Sequence, residues 1–117
     1  MINFTVPSTL KSWFDYIARS GKTFSYGENG PVGLVTGKRV VLVEAKGGIY
    51  SQGPMKAHDY QQPYLRFMLG FLGLTDIEVI DVEGVAFGPE AAERAVTAAV
   101  ERADNAARAI SETRVAA

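Results

Sequence analysis

Lys38-Arg39-Val40-Val41-Leu42-Val43-Glu44-Ala45-Lys46-Gly47-Gly48-Ile49-Tyr50 is the stretch that decides the fold of this chain. A charged pair opens it, an apolar run follows, and the run empties into a double glycine. An apolar run without polar alternation suits a strand covered on both faces, as in a parallel sheet flanked by helices. In open α/β sheets, ligands bind just beyond the carboxyl ends of the strands. Gly47-Gly48 falls at that place, where missing side chains let backbone amides approach a flat or charged ligand. Taken alone, the glycines read first as a tight turn. The flanking sequence has to decide.

Upstream, Leu10, Trp13, Phe14 and Ile17 form one apolar helical face, with Pro7 in the first turn, Thr5 as cap and Gly21 as stop. Residues 22–37 carry Gly27, Gly30, Gly33 and Gly37 and read as a long loop, with a short β ribbon around Thr23–Tyr26. The strand Arg39–Ala45 follows, then a loop from Lys46 to about Gln61. A helix over about Pro63–Gly73 is apolar nearly all round, so it is expected to be buried on more than one side. Ile77–Val85 reads as a strand whose partial alternation suggests an edge position. The last helix is expected from Pro89 to about Ser111, with Ala92, Val96, Ala99, Ala103, Ala106 and Ile110 as its packing stripe. This order describes βαβ crossovers with their beginning removed. Two strands alone make a poor sheet. Further strands are therefore expected from upstream sequence, another chain or a dimer.

The 117 residues suffice for a single domain spanning 1–117, and a hydrophobic content of 47% fits a globular one. Twelve basic against thirteen acidic residues removes the electrostatic argument for nucleic-acid binding. No cysteine is present and His58 is the only histidine, which argues against a zinc site or a Ser-His-Asp triad. His58, in the loop before Pro63, reads first as a solvated loop histidine, with contact to a substrate as the alternative. No apolar run approaches the ~20 residues that span a bilayer, and the first residues lack a signal-peptide pattern. A cytoplasmic chain without membrane or nucleic-acid partners is expected. Ser20-Gly21-Lys22-Thr23 imitates the end of a phosphate loop, but it lacks the leading glycine and follows a helix instead of a strand.

Several ordered segments together resemble the FMN-dependent NADH-azoreductases, a group related to the NAD(P)H:quinone oxidoreductases. They are Met1–Pro7 with Leu10–Asp15, Phe24–Pro31, Lys46–Tyr50, Pro63–Leu65, Leu69–Gly73 and Glu83–Pro89. The resemblance implies a flavodoxin-like fold, three-layer α/β/α with a parallel sheet, of which this chain is the carboxyl-terminal half. It implies FMN as cofactor and NADH or NADPH as electron donor. Met1, Ile2, Asn3 and Phe4 match the segment that lies along the isoalloxazine ring, with Ile2 where tyrosine is usual. Ala45, Lys46, Gly47, Gly48 and Tyr50 match the second flavin loop, with Ala45 where a hydroxyl is common and Lys46 where arginine is common. A cation there would help hold negative charge on a reduced flavin, and a solvated loop lysine is the alternative. Tyr26 and Phe71 match aromatics that overhang the flavin of the other subunit in a homodimer, with burial of Phe67, Met68 or Phe71 expected near that interface. The family's serine-rich phosphate loop has no counterpart in these residues.

The resemblance therefore implies a two-electron, ping-pong NAD(P)H oxidoreductase acting on quinones and azo compounds, with no certain catalytic side chain and no metal. Two alternatives remain: a non-catalytic fragment that dimerises, and an acyl-carrier-protein phosphodiesterase, an older family label. The second is disfavoured by the lack of metal ligands and of an activated nucleophile.

Overall fold

The computed structural model describes residues 1–116, and the strand read from Lys38–Tyr50 forms where expected. In chain order the elements are helix α1 (Ser8–Ile17), strands β1 (Phe24–Gly27), β2 (Gly30–Gly33) and β3 (Arg39–Ala45), helix α2 (Gln62–Leu72), strand β4 (Asp76–Val82) and helix α3 (Pro89–Ala116). Short 3₁₀ turns at Pro54–His58 and Val85–Phe87 interrupt the loops. β3 and β4 pair in parallel, from Arg39 opposite Asp76 to Ala45 opposite Val82. The ribbon is a hairpin in which Phe24 faces Gly33 and Gly27 faces Gly30.

Side chains leave the parallel pair alternately on its two faces. Val40, Leu42 and Ile77 pack with Phe14, Phe24, Leu65, Leu69 and Leu72, the layer formed by α1, α2 and the hairpin. Val41, Ile80 and Val82 pack with Ala95, Ala99 and Ala103 of α3. Helices cover both faces, as the continuous apolar run requires. Coverage at the edges is incomplete: among the described residues β3 pairs only with β4, and Val43 is 65% exposed. Either strand is thus an edge, and the edge position read for the second strand does not distinguish it.

Several local expectations are corrected. Thr5 does not cap α1; the cap position is Pro7, and the Thr5 hydroxyl donates to the Tyr60 carbonyl instead. α1 closes at Ala18, whose amide bonds to Phe14, while Gly21 serves a later turn. Trp13, placed on the buried face by its spacing, is half exposed. α3 continues past Ser111, because the polar residues beyond it are adequate helix formers and no glycine or proline stops them. Its stripe runs through Ala95 in place of Val96, which is 50% exposed. The smaller side chain takes the place nearest the sheet.

α2 buries Leu65, Leu69 and Leu72, half-buries Met68 and Phe71, and leaves Phe67 71% exposed. It ends at Gly73, and the backbone there touches Gly33 of the hairpin. A Cβ on Gly33 would lie 2.1 Å from the Gly73 nitrogen, so only glycine permits this approach. The hairpin is thereby fixed to the end of α2 nearest the amino ends of the strands.

Candidate functional site

Two segments more than forty residues apart meet at the carboxyl end of β3. The amino group of Met1 donates to the Ala45 carbonyl. Ile2 and Thr5 then exchange backbone hydrogen bonds of 3.0 Å each, closing a turn around Asn3 and Phe4. Both central residues have positive φ, 46° and 70°. Asparagine tolerates that conformation; phenylalanine rarely adopts it, and strain of this kind costs about 1–3 kcal/mol where surroundings enforce it. The surroundings here are visible: the Phe4 carbonyl accepts the Tyr60 amide at 3.0 Å, and the Phe4 ring meets Tyr50 edge-on at 6.3 Å.

The result is a shallow pocket of about 240 Å³ lined by Met1, Asn3, Phe4, Gly47, Gly48 and Tyr50. Gly48 keeps its wall open, because a Cβ would lie 3.3 Å from the Tyr50 ring, a tight contact that the ring would have to yield to. Among the described residues, the amides of Asn3, Phe4, Gly47 and Gly48 donate to no protein acceptor. The pocket therefore offers aromatic walls beside free backbone donors, a combination suited to a flat ring with acceptor atoms on its edge. A flavin ring has that chemistry, so the residues present fit one.

The structure distributes the other sequence-derived candidates differently. Ile2 turns to an adjoining hollow of about 470 Å³, with Thr5, Val6, Ser8, Lys11 and Tyr64, and Asn3 borders both. Ala45 contributes its carbonyl to the Met1 contact. Tyr26 and Phe71 do not line the pocket; both pack on Phe24, Tyr26 edge-on at 5.6 Å and Phe71 tilted at 4.7 Å between ring centres. His58 is exposed in its 3₁₀ turn.

Lys46 is the largest departure. Its side chain is fully buried, with Nζ 3.0 Å from Glu44, 2.9 Å from Asp59 and 2.9 Å from Asp81. It is neither a solvated loop lysine nor a lining of the pocket. Burial works against its charge most strongly, but hydrogen bonds to Asp59, Asp81 and Glu44 together outweigh it and raise its pKa above the ordinary lysine value. Burial likewise opposes the charge on Asp59. Lys46 and the amides of Gln62 and Gln61 overcome that and hold its carboxyl below the usual range.

Sequence reasoning missed Asp59, Asp81 and Glu44, and also Glu83, whose carboxylate accepts the amides of Tyr50 (2.8 Å) and Ser51 (2.9 Å) and the Ser51 hydroxyl. One signal was available. Glu44 and Lys46 lie two apart on one strand face, an ion pair where the run is otherwise apolar.

Among the described residues no group of three or more metal-ligating side chains is placed to hold an ion, and no helix is long and apolar enough to cross a membrane.

Comparison with known proteins agrees with this architecture. The chain is 59% identical over 109 residues to an FMN-dependent NADH:quinone oxidoreductase 1 of Rhizobium etli, covering 93% of this chain and 53% of that protein. It is 52% identical over 96 residues to an FMN-dependent NADH:quinone oxidoreductase of Herminiimonas arsenicoxydans, covering 82% and 47%. An azoreductase crystal structure from Bacillus anthracis superposes with a TM-score of 0.83 at 41% identity, covering 90% of this chain and 50% of that one. An FMN-dependent NADH-azoreductase of the same species, solved in complex with FMN, superposes at 0.78 and 34% identity, covering 90% and 51%. The chain thus spans about half the length of the relatives it matches. Residues 1–107 match the Flavodoxin_2 family, described by its flavodoxin-like fold, and the chain belongs to that family.

Proposed function

We propose that these residues form the ring-binding part of an FMN-dependent NAD(P)H oxidoreductase that reduces quinones and azo compounds in the cytoplasm. The observation that carries the reading is the pocket itself, lined by the Phe4 and Tyr50 rings and by Asn3, Phe4, Gly47 and Gly48, whose amides have no protein acceptor among the described residues. The names of the relatives supply the chemistry such a pocket would serve. FMN held there would supply two-electron redox chemistry between a nicotinamide donor and the acceptor. The chain's own part is to hold and orient. The amides of Asn3, Phe4, Gly47 and Gly48 would donate to the acceptor atoms of the ring edge, and Phe4 and Tyr50 would exclude water from it.

The remainder of the site lies outside these residues in this reading. The free edge of β3 borders a groove lined by Trp13, Leu42, Val43 and Leu65, and Oε1 of Glu44 and of Gln61 are buried without a partner there. Further strands, and the residues that hold the FMN phosphate, would complete the sheet at this edge. Tyr26 and Phe71 would serve the pocket of a second subunit. α2 is about 16 Å long and separates Phe71 from the pocket of its own chain. Exposed Phe67 would belong to that homodimer interface. The same exposed helix would serve a non-catalytic dimerising fragment, the second reading.

Gly48→Val in the complete protein tests the assignment. The branched side chain would collide with Tyr50 and fill the space of the ring, so the purified variant should lose its flavin colour and its reductase rate. A variant as yellow and as active as the parent would remove the pocket from the account.

A further inference from the structure

We propose that Lys46 is the positioning residue that ties the two walls of the pocket together, without itself contacting the bound ring. The proposal rests on the flavin-pocket reading and extends it to the structure behind the pocket. Lys46 links three separate pieces of chain: Glu44 on its own strand, Asp81 on β4, and Asp59 in the loop before α2.

From Asp59 the connection runs directly to the first wall. Its Oδ1 accepts the amides of Gln61 and Gln62, which fixes the loop against the start of α2. The neighbouring residue, Tyr60, then donates its amide to the Phe4 carbonyl and accepts the Thr5 hydroxyl. These bonds hold the turn in which Asn3 and Phe4 take positive φ, a conformation that persists only under such constraint. From Lys46 the second wall follows at once. Its amide donates to Val82, and the Gly47 and Gly48 carbonyls accept the amides of Ala86 and Gly84. One ammonium therefore lies on the path between the Ile2–Thr5 turn and the glycine loop.

The charges make the tie one-sided. Three carboxylates converge on one cation, and Glu44 keeps one buried oxygen unpaired. With a neutral side chain at position 46, the carboxylates would repel one another and force the rim apart. Arginine should substitute, because a guanidinium has five donors and could also reach the unpaired Glu44 oxygen.

Amide hydrogen exchange without FMN tests this separately from the flavin reading. In Lys46→Met, exchange should rise at Thr5, Tyr60 and Ala86 by about tenfold or more beyond any rise at Leu34 and Val35, which follow the far hairpin and report the general change in stability. Lys46→Arg should restore protection. If Lys46→Met does not fold, Asp59→Asn keeps the acceptor for Gln61 and Gln62, removes the charge, and should release Thr5 and Tyr60 while Ala86 stays protected. Unchanged exchange at Tyr60 in either variant would overturn the proposal. So would a rise at Leu34 and Val35 equal to that at the rim, which would mark a general loss of stability.

Discussion

The strand pair β3–β4 carries ion pairs at both ends, and the two ends are opposites. At the amino ends, Arg39 reaches Glu78 across the strands at 2.7 Å, with both side chains about one-third exposed. At the carboxyl ends, Lys46 meets Glu44, Asp59 and Asp81 at nearly the same distances, with Lys46 and Glu44 fully buried, Asp59 nearly so and Asp81 22% exposed. Distance alone would rank these contacts equal. Surroundings separate them: water solvates the first pair whether or not it forms, whereas the Lys46 ammonium and the Glu44 carboxylate have no solvent to replace a lost partner. The buried cluster lies under the pocket, at the end of the sheet where ligands of open α/β folds bind. Charges are buried where loops must be held still, and left wet where they only finish an edge.

The largest expected effect breaks the buried end. Lys46→Met should lower the unfolding free energy by about 3–5 kcal/mol, because it strands carboxylates without their counter-ion. Equilibrium urea denaturation of parent and variant measures this. A loss under about 1 kcal/mol would place the cluster with ordinary surface pairs.

The dependence on pH sharpens the comparison next. Lys46 is held above its usual value, so its contribution is complete below about pH 10 and fades only as pH rises through the raised value. Asp59 is held below the usual value, so its contribution is complete above about pH 5 and fades as pH falls through the lowered value. Between about pH 5 and 10 the cluster's contribution should stay flat, with stability falling on both sides. Denaturation midpoints across that range check it, and in Asp59→Asn the acid-side fall should shrink.

The smallest effect belongs to the exposed end. Arg39→Ala should cost under about 1 kcal/mol, and the difference from the parent should diminish in high salt.

What the sequence allowed divides along the same line. The apolar run of β3 and the double glycine after it depend on neighbouring residues, and both were legible. Of the glycine-rich segment only the short ribbon around Thr23–Tyr26 was legible, and the returning strand Gly30–Gly33 was read as loop. Lys46 was not legible, because Asp59 and Asp81 come from other segments and only the parallel register brings Asp81 alongside Glu44. Thr5 was misread for a similar reason: a local cap was expected, and a carbonyl fifty-five residues away took the hydroxyl instead. The choice between Ala95 and Val96 turned on helix phase, where spacings of three and four are both allowed. The meeting of Met1–Phe4 with Gly47–Tyr50 was expected from the family resemblance alone; no periodicity in the chain announces it.

The central claim is that these residues hold the ring side of a flavin site whose phosphate side lies elsewhere. Titration of FMN fluorescence against the 117-residue chain, alone and mixed with the unmatched half of the Rhizobium etli relative, tests it most directly. Charge-assisted hydrogen bonds contribute roughly 1.5–3 kcal/mol each, so lacking several of them weakens binding by orders of magnitude. Weak binding or none is expected of the chain alone, and stoichiometric quenching once the other half is supplied. Tight, stoichiometric binding by the 117-residue chain alone would contradict it.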